Sequence, residues 1–344
     1  MKKSILITSV GNIGIGNQIL NSLRLSKEAL TIVGTDISEN VEFKKLDKYY
    51  KVTKPNQKEY FDLMKKIISE YNIGIIFVGS LSEALWFLDN MDYFEKKKIT
   101  VVIGEKQLFS LCADKNELFT YLKNSGIILP KFKKINNLKD CYDIDFFPVV
   151  LKQNKNAVAS NHVYIAFDKE DLYLLSNYLL KNNVDLIAQE WIGDKENEFS
   201  VSVTSDVYAK PVGVIAMRRD FSSAISFKNK INHAGKDYYI SSGITQGSIE
   251  NIAELHTQAK NIAIALRSKG PLNLQGKWEN GIFYLIDAHP AITSSVYMKA
   301  LAGYNEPLYY VKTFLNNESY ILDAKEMCIV KKTVAEIKGD SDVY

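Results

Sequence analysis

Cysteine is scarce in this sequence and scattered, with three residues at Cys112, Cys141 and Cys328. No CxxC pair or Cys/His cluster occurs. That excludes a disulfide framework or a zinc ligand set and leaves reduced core thiols. Charge of one sign is lacking too. The 43 basic residues nearly cancel the 40 acidic ones, for a net charge of +3, so neither nucleic acid nor a membrane surface is expected as a partner. No apolar run reaches the ~18 residues a membrane helix needs, and no internal repeat or low-complexity segment occurs. Met1-Lys2-Lys3 ahead of an apolar run resembles the start of a signal peptide. Gly11, Asn12, Asn17 and Gln18 interrupt the run early, and no small-residue cleavage site follows. A buried first strand in a cytoplasmic protein is therefore expected.

What is present is ordinary for a folded chain: 46% hydrophobic and 24% charged residues over 344 positions. At that length one core stops growing, and two or three subdomains are expected. The first hundred residues alternate strand and helix signals. Ile5-Leu6-Ile7 reads as a strand, and Ile15, Ile19 and Leu23, spaced by four, as a helix face. Thr31-Ile32-Val33-Gly34 is a second strand with Asp36 at its end; residues 57–71 form a helix with Tyr60, Met64, Ile67 and Ile68 inward. Ile73 to Val78 and Ile99 to Ile103 are further strands. Such βαβ alternation implies a parallel sheet covered by helices.

After a helix near 106–124 and Pro130 the pattern changes to shorter strands and longer loops. Strands are expected at 147–152, 163–167, 186–192 and 198–205, and helices at 168–182, 249–268 and 306–315. Residues 218–247 read as a long loop. Strands 272–278 and 282–288 flank Glu279-Asn280-Gly281, whose Asn-Gly pair is a strong hairpin signal. A last strand is expected near Cys328 to Lys332.

Gly11, Gly14 and Gly16 follow a strand, open a helix and precede Asp36, as in dinucleotide-binding turns. The spacing is GxxGxG rather than GxGxxG. A tight βα turn that needs glycine's backbone freedom accounts for it, and nicotinamide binding is not expected.

The second half carries more chemistry. Gly270-Pro271-Leu272-Asn273-Leu274-Gln275, then Tyr284-Leu285-Ile286-Asp287-Ala288-His289-Pro290, then Ala302-Gly303-Tyr304-Asn305-Glu306-Pro307 resemble the metal-binding core of ATP-grasp enzymes. There the pattern runs G-P-x-N-x-Q, E-I-N-P-R and A-G-x-N-x-P. Earlier markers fall in the same order: Asp114-Lys115, Gly126 to Pro130, Phe147 to Lys152, Gln189 to Gly193, and Glu198-Phe199-Ser200. Over roughly residues 1–315 the chain resembles the carbamoyl-phosphate-synthetase-like carboxylate–amine ligases as a divergent member.

The resemblance implies an α/β chain, α+β in its second half: a Rossmann-like domain over 1–108, an ATP-grasp domain over 109–320 with a nucleotide-covering part at about 125–190, and a C-terminal segment, 321–344. It implies ATP with Mg2+ or Mn2+ as cofactors, and small-molecule carboxylate and amine substrates; a homodimer is left open. Lys115 and Lys152 would meet nucleotide phosphates, Glu190, Trp191 and Ile192 adenine, and Glu198 the ribose. Arg218 or Arg219 would stand near the transferred phosphoryl group, and Gln275, Asp287 and His289 would hold the metal.

The residues support parts of this directly. Asp287 and His289, two apart on a strand, share a face, and Gln275 reaches the same side across the hairpin. An amide oxygen, a carboxylate and an imidazole together suit a divalent cation. A solvated strand end for Lys152, a core role for Trp191 and a surface pair for Arg218 and Arg219 remain the plainer alternatives. The sequence also departs from the pattern. The segment after Lys152, Gln153 to Asn161, has no glycine, and Asp287, His289 and Ala291 stand where glutamate, asparagine and arginine are usual. Three functions stay open: a ligase acting through an acyl phosphate, a degenerate ATP-grasp protein that binds nucleotide or metabolite without turnover, and a nicotinamide enzyme. If imidazole joins the metal, manganese is expected to be favoured over magnesium.

Overall fold

Short apolar runs buried on both faces build the first layer. The computed structural model describes residues 3–11, 14–38, 43–155, 162–193, 195–324 and 327–331. Strands β1 (Ser4–Thr8), β2 (Ile32–Asp36), β3 (Lys48–Lys51), β4 (Ile73–Phe77) and β5 (Thr100–Val102) form a parallel sheet in the order β3-β2-β1-β4-β5. Side chains alternate between its faces. Ile5 and Ile7 enter one core with α1 (Ile15–Arg24), while Leu6 enters another with α2 (Lys58–Glu70), α3 (Leu81–Asp89) and α4 (Met91–Lys96). This is the Rossmann-like arrangement the βαβ pattern implies.

The helix expected over 106–124 is two helices, α5 (Lys106–Ala113) and α6 (Lys115–Asn124). Asp114 breaks it: its backbone is extended and its side chain caps α6 by accepting from the Glu117 amide. Next come β6 (Phe132–Ile135), β7 (Val149–Gln153), β8 (Tyr164–Ala166), α7 (Lys169–Lys181) and β9 (Leu186–Glu190). The strands form an antiparallel sheet, β6-β9-β7-β8, with α7 on one face. Residues 156–161, most of the segment in the phosphate-loop position, lie outside the described residues.

The third sheet is antiparallel and six-stranded. It draws on β10 (Glu198–Ser205), β11 (Pro211–Arg219), β14 (Gly247–Glu250), β15 (Gly270–Glu279), β16 (Ile282–His289) and β17 (Ile329–Val330), with α8 (Ala253–Ala265) packed behind. Asn280 and Gly281 both take positive φ, 49° and 77°, and close the β15–β16 hairpin as its Asn-Gly signal predicts. The expected loop 218–247 instead contains a second hairpin, β12 (Phe227–His233) and β13 (Lys236–Ser241). Its turn, Ala234-Gly235, also uses two positive φ values, 50° and 78°. Alanine is rare in that conformation and hid the signal. Helices α9 (Val296–Leu301) and α10 (Glu306–Tyr310) return to the first sheet, and a π-helical turn, Val311–Leu315, replaces the last part of the α-helix expected there. No helix among the described residues is long and apolar enough to cross a membrane.

The glycine turn after β1 is a packing device. A Cβ on Gly16 would stand 2.2 Å from the Thr8 carbonyl oxygen and 2.4 Å from that of Ser9. The Asp36 carboxylate accepts from the amides of Gly11 (2.8 Å) and Ser38 (2.8 Å), so it pins the turn. Gly16→Ala is expected to destabilise the protein by roughly 1–3 kcal/mol, the range for overpacking, read from its chemical denaturation midpoint. NADH fluorescence titration is expected to give no saturable binding at this turn.

Candidate active site

A cleft of about 630 Å3, within the usual range for ligand sites, lies between the second and third sheets and reaches the first. Its floor is the β15–β16 hairpin. Gln275 pairs in register with Asp287, and Asn273 with His289. Two residues apart on each strand, the four share one face, and all four line the cleft.

Two lysines converge on this floor. Lys115, at the start of α6, is buried and places Nζ 2.9 Å from Asp287 Oδ1. Lys152, on β7, is also buried and donates to Gln189 Oε1 (2.6 Å) and the Ile286 carbonyl (3.0 Å). Burial first, then the neighbouring Lys115 charge, pulls the Lys152 ammonium down to about 7. Burial alone would raise the Asp287 carboxyl, but Lys115 and Lys152 outweigh it and keep it below the usual carboxylate range. Asp287 Oδ2 takes no protein hydrogen bond among the described residues, nor do the His289 ring nitrogens. Burial lowers the His289 imidazole, with Asp287 opposing, so the ring is neutral at pH 7. It packs edge-on against Phe109, with ring centroids 5.6 Å apart.

At the end of β9, the Glu190 amide donates to the Lys131 carbonyl (2.8 Å) and the Trp191 amide to that of Pro148 (3.0 Å). The Ile192 amide has no protein partner among the described residues. The Trp191 ring is half-buried between Tyr238, 5.1 Å away edge-on, and the Lys277 ammonium, 5.1 Å from its centroid. Glu198 meets Arg219 at 2.6 Å and Lys277 at 3.5 Å. Burial would raise its carboxyl, but these two cations prevail and it is ionised.

Lys115, Lys152, Glu190, Trp191, Ile192, Glu198, Gln275, Asp287 and His289 all stand along this cleft. Arg218 and Arg219 do not line it. Adjacent strand residues point to opposite faces. Arg218 is held by both Glu250 oxygens (2.6 and 2.8 Å) and lies over the Phe199 ring. Arg219 sits behind Glu198, 5.0 Å from the Phe221 centroid. Two residues escaped the sequence reading. Lys277 continues the Asn273, Gln275 alternation, a signal that was there to read. Asn154 is fully buried, and it locks the end of β7 to the start of α6. Its oxygen accepts from the Asn116 amide (2.8 Å) and its nitrogen donates to Asp114 Oδ1 (3.0 Å). Nothing local marks it, because its partners lie about forty residues away.

No family model matches the sequence. No curated protein matches it either. Solved structures do resemble its fold. The L-amino acid ligase of Bacillus licheniformis superposes with a TM-score of 0.62 at 13% identity, over 92% of this chain and 75% of that one. The N5-carboxyaminoimidazole ribonucleotide synthetase of Thermotoga maritima gives 0.62 at 16% identity, over 95% and 78%. The biotin carboxylase domain of the Hydrogenobacter thermophilus 2-oxoglutarate carboxylase, solved with MgADP and bicarbonate, gives 0.65 at 14%, over 96% and 73%. The chain has the ATP-grasp fold, with a Rossmann-like parallel sheet ahead of it.

Lys152 offers a direct test of the cleft. At about pH 8 a site with a pKa near 7 is mostly neutral, and a phosphate chain bound beside it would restore the ammonium. Calorimetry of ADP binding in buffers of different ionisation enthalpy is expected to show proton uptake at that pH. Lys152→Met should abolish this uptake, and at about pH 6, where the amine is already charged, the two proteins should differ little.

Proposed function

We propose that this chain is an ATP- and metal-dependent ligase of the cytoplasm that joins a small carboxylic acid to an amine through an acyl phosphate. The observation that carries the reading is the meeting of Lys115, Lys152 and Asp287 in one cleft. Two cations facing one carboxylate in a site of low polarity favour an anionic ligand, and a phosphate chain supplies that charge. The unpartnered Ile192 amide suits an adenine nitrogen. A carboxylate can accept up to about four hydrogen bonds, so Glu198 keeps capacity for ribose hydroxyls beside Arg219 and Lys277.

Among the described residues, no group of three His, Cys, Asp or Glu could hold a metal alone. The free Asp287 Oδ2, the Gln275 amide and the neutral His289 ring fit instead a cation that arrives with the phosphates. Magnesium or manganese held there neutralises phosphate charge.

In the first step a carboxylate oxygen attacks the γ-phosphorus. The bond to the bridging oxygen breaks, and ADP leaves with the electron pair. In the second, the amine lone pair attacks the acyl carbon, the C–O bond to phosphate breaks, inorganic phosphate leaves, and the nitrogen gives a proton to solvent. Lys115 and Lys152 hold the charge that moves between the phosphates, so the protein's contribution is position and preorganised charge.

ADP release from ATP is expected to require an added acid and an added amine, such as hydroxylamine. Asp287→Asn should lower the rate by roughly a hundredfold. ADP binding without any turnover across a broad panel would make the chain a nucleotide-binding protein instead. Manganese should support the reaction better than magnesium, and His289→Asn should remove that preference. Equal behaviour of both metals in the wild type would take His289 out of the metal site. Because burial lowers the imidazole, the manganese advantage should persist to below about pH 6.5, the free-histidine value.

A further inference from the structure

Beyond Asp287 and His289 the cleft ends against the first sheet's helices, and that end has a different chemistry. Leu81, Leu85 and Leu88, spaced by four and three, share one face of α3 and line it. Ile15, at the start of α1, and Phe109, on α5, complete the wall. Leu88 is buried in the core behind the wall, but Leu81 and Leu85 are 40% and 51% exposed, so among the described residues no element covers that part of the stripe. The wall begins at the proposed reacting centre, because Phe109 is also the residue that packs against His289.

The charges at this end cancel. Asp89, the last residue of α3, and Lys106, the first of α5, pair with each other at 2.6 Å. The other polar side chains there, Ser110, Thr293 and Ser294, are neutral hydroxyls. Ala291, next to the metal-facing strand, packs into the first sheet's core and offers no cation. Among the described residues, then, no cation is left over at this end for a second carboxylate or phosphate on the substrate, and no carboxylate for a second amine.

Resting on the ligase reading above, we infer that the acid activated at this site carries an apolar tail or side chain. The carboxylate lies near Asp287 and His289, and the tail runs along Leu81, Leu85 and Ile15. Covering those leucines removes apolar surface from water, whereas a charged tail would lose hydration without gaining a partner.

Isothermal titration with size-matched acids tests this: hexanoate against 6-aminohexanoate, and phenylacetate against glutarate, each with ADP and manganese present. Hexanoate and phenylacetate are expected to bind at least about tenfold more tightly than the charged-tail acids. Leu85→Asp should erase the preference for hexanoate over 6-aminohexanoate, whose ammonium it can pair, and Leu85→Met should retain it. Leu85 is half exposed, so both variants should fold, which circular dichroism checks. Equal or reversed affinities, no binding of any acid at millimolar concentration, or a preference untouched by Leu85→Asp would overturn the inference. A parallel ADP titration separates the two ideas. Loss of ADP binding alone sinks the ligase reading, while the acid affinities still decide the pocket.

Discussion

An excess of positive charge held away from water is the constraint around which the rest is arranged. Lys115 and Lys152 both face Asp287, and only Lys115 has a direct ion pair with it. The protein tolerates this because Lys152 is stabilised by neutral acceptors and gives up part of its affinity for a proton. Each lysine comes from a separate element, α6 and β7, and Asp287 from β16. Three segments distant in sequence must therefore arrive at one point. Asn154 secures two of them, and the β15–β16 register secures the third.

Paired charges elsewhere in the cleft are used differently. Glu198 is surrounded by Arg219 and Lys277, so that region is closer to neutral and rigid. Arg218 serves β14 through Glu250. The two adjacent arginines thus tie interior strands of the third sheet together, Arg219 to β10 and Arg218 to β14. Another buried lysine, Lys299, donates to Ser202 (2.7 Å) and reaches Ser200 and Asn273 on the cleft-facing side of the third sheet. It holds the Asn273 side chain through its amide oxygen at 3.3 Å.

The first sheet was legible because a parallel sheet buried on both faces leaves uninterrupted runs such as Ile5-Leu6-Ile7 and Ile73 to Phe77, separated by helical periods. The β15–β16 hairpin was legible because Asn280-Gly281 is a turn with one common solution. The β12–β13 hairpin was not, since Ala234 adopts a conformation its chemistry does not advertise. The residues that share the cleft came from a family resemblance spread over nearly two hundred positions, which no local pattern could assemble. Strand alternation puts Arg218 and Arg219 on opposite faces, but it does not say which neighbours each would find. The leucines of α3 look in sequence like any buried helix face; only the fold reveals that, among the described residues, no element covers Leu81 and Leu85.

The β12–β13 hairpin also supplies part of the cleft wall and is fastened to the rest of the protein by a small apolar cluster. Tyr238 and Ile240 pack onto Ile165, beside Trp191, and the His233 ring lies flat on Phe167, with centroids 3.8 Å apart and 2° between planes. Residues Tyr239 to Ser241 of the same hairpin form part of the cleft wall. Lifting this edge means separating a stacked pair and wetting a small apolar cluster at once. Ring stacking alone contributes roughly 0.5–1.5 kcal/mol beyond buried area, a bias of severalfold toward keeping this edge in place. The cost of parting Phe167 from His233 therefore bears directly on the shape of the cleft wall that Tyr239 to Ser241 form.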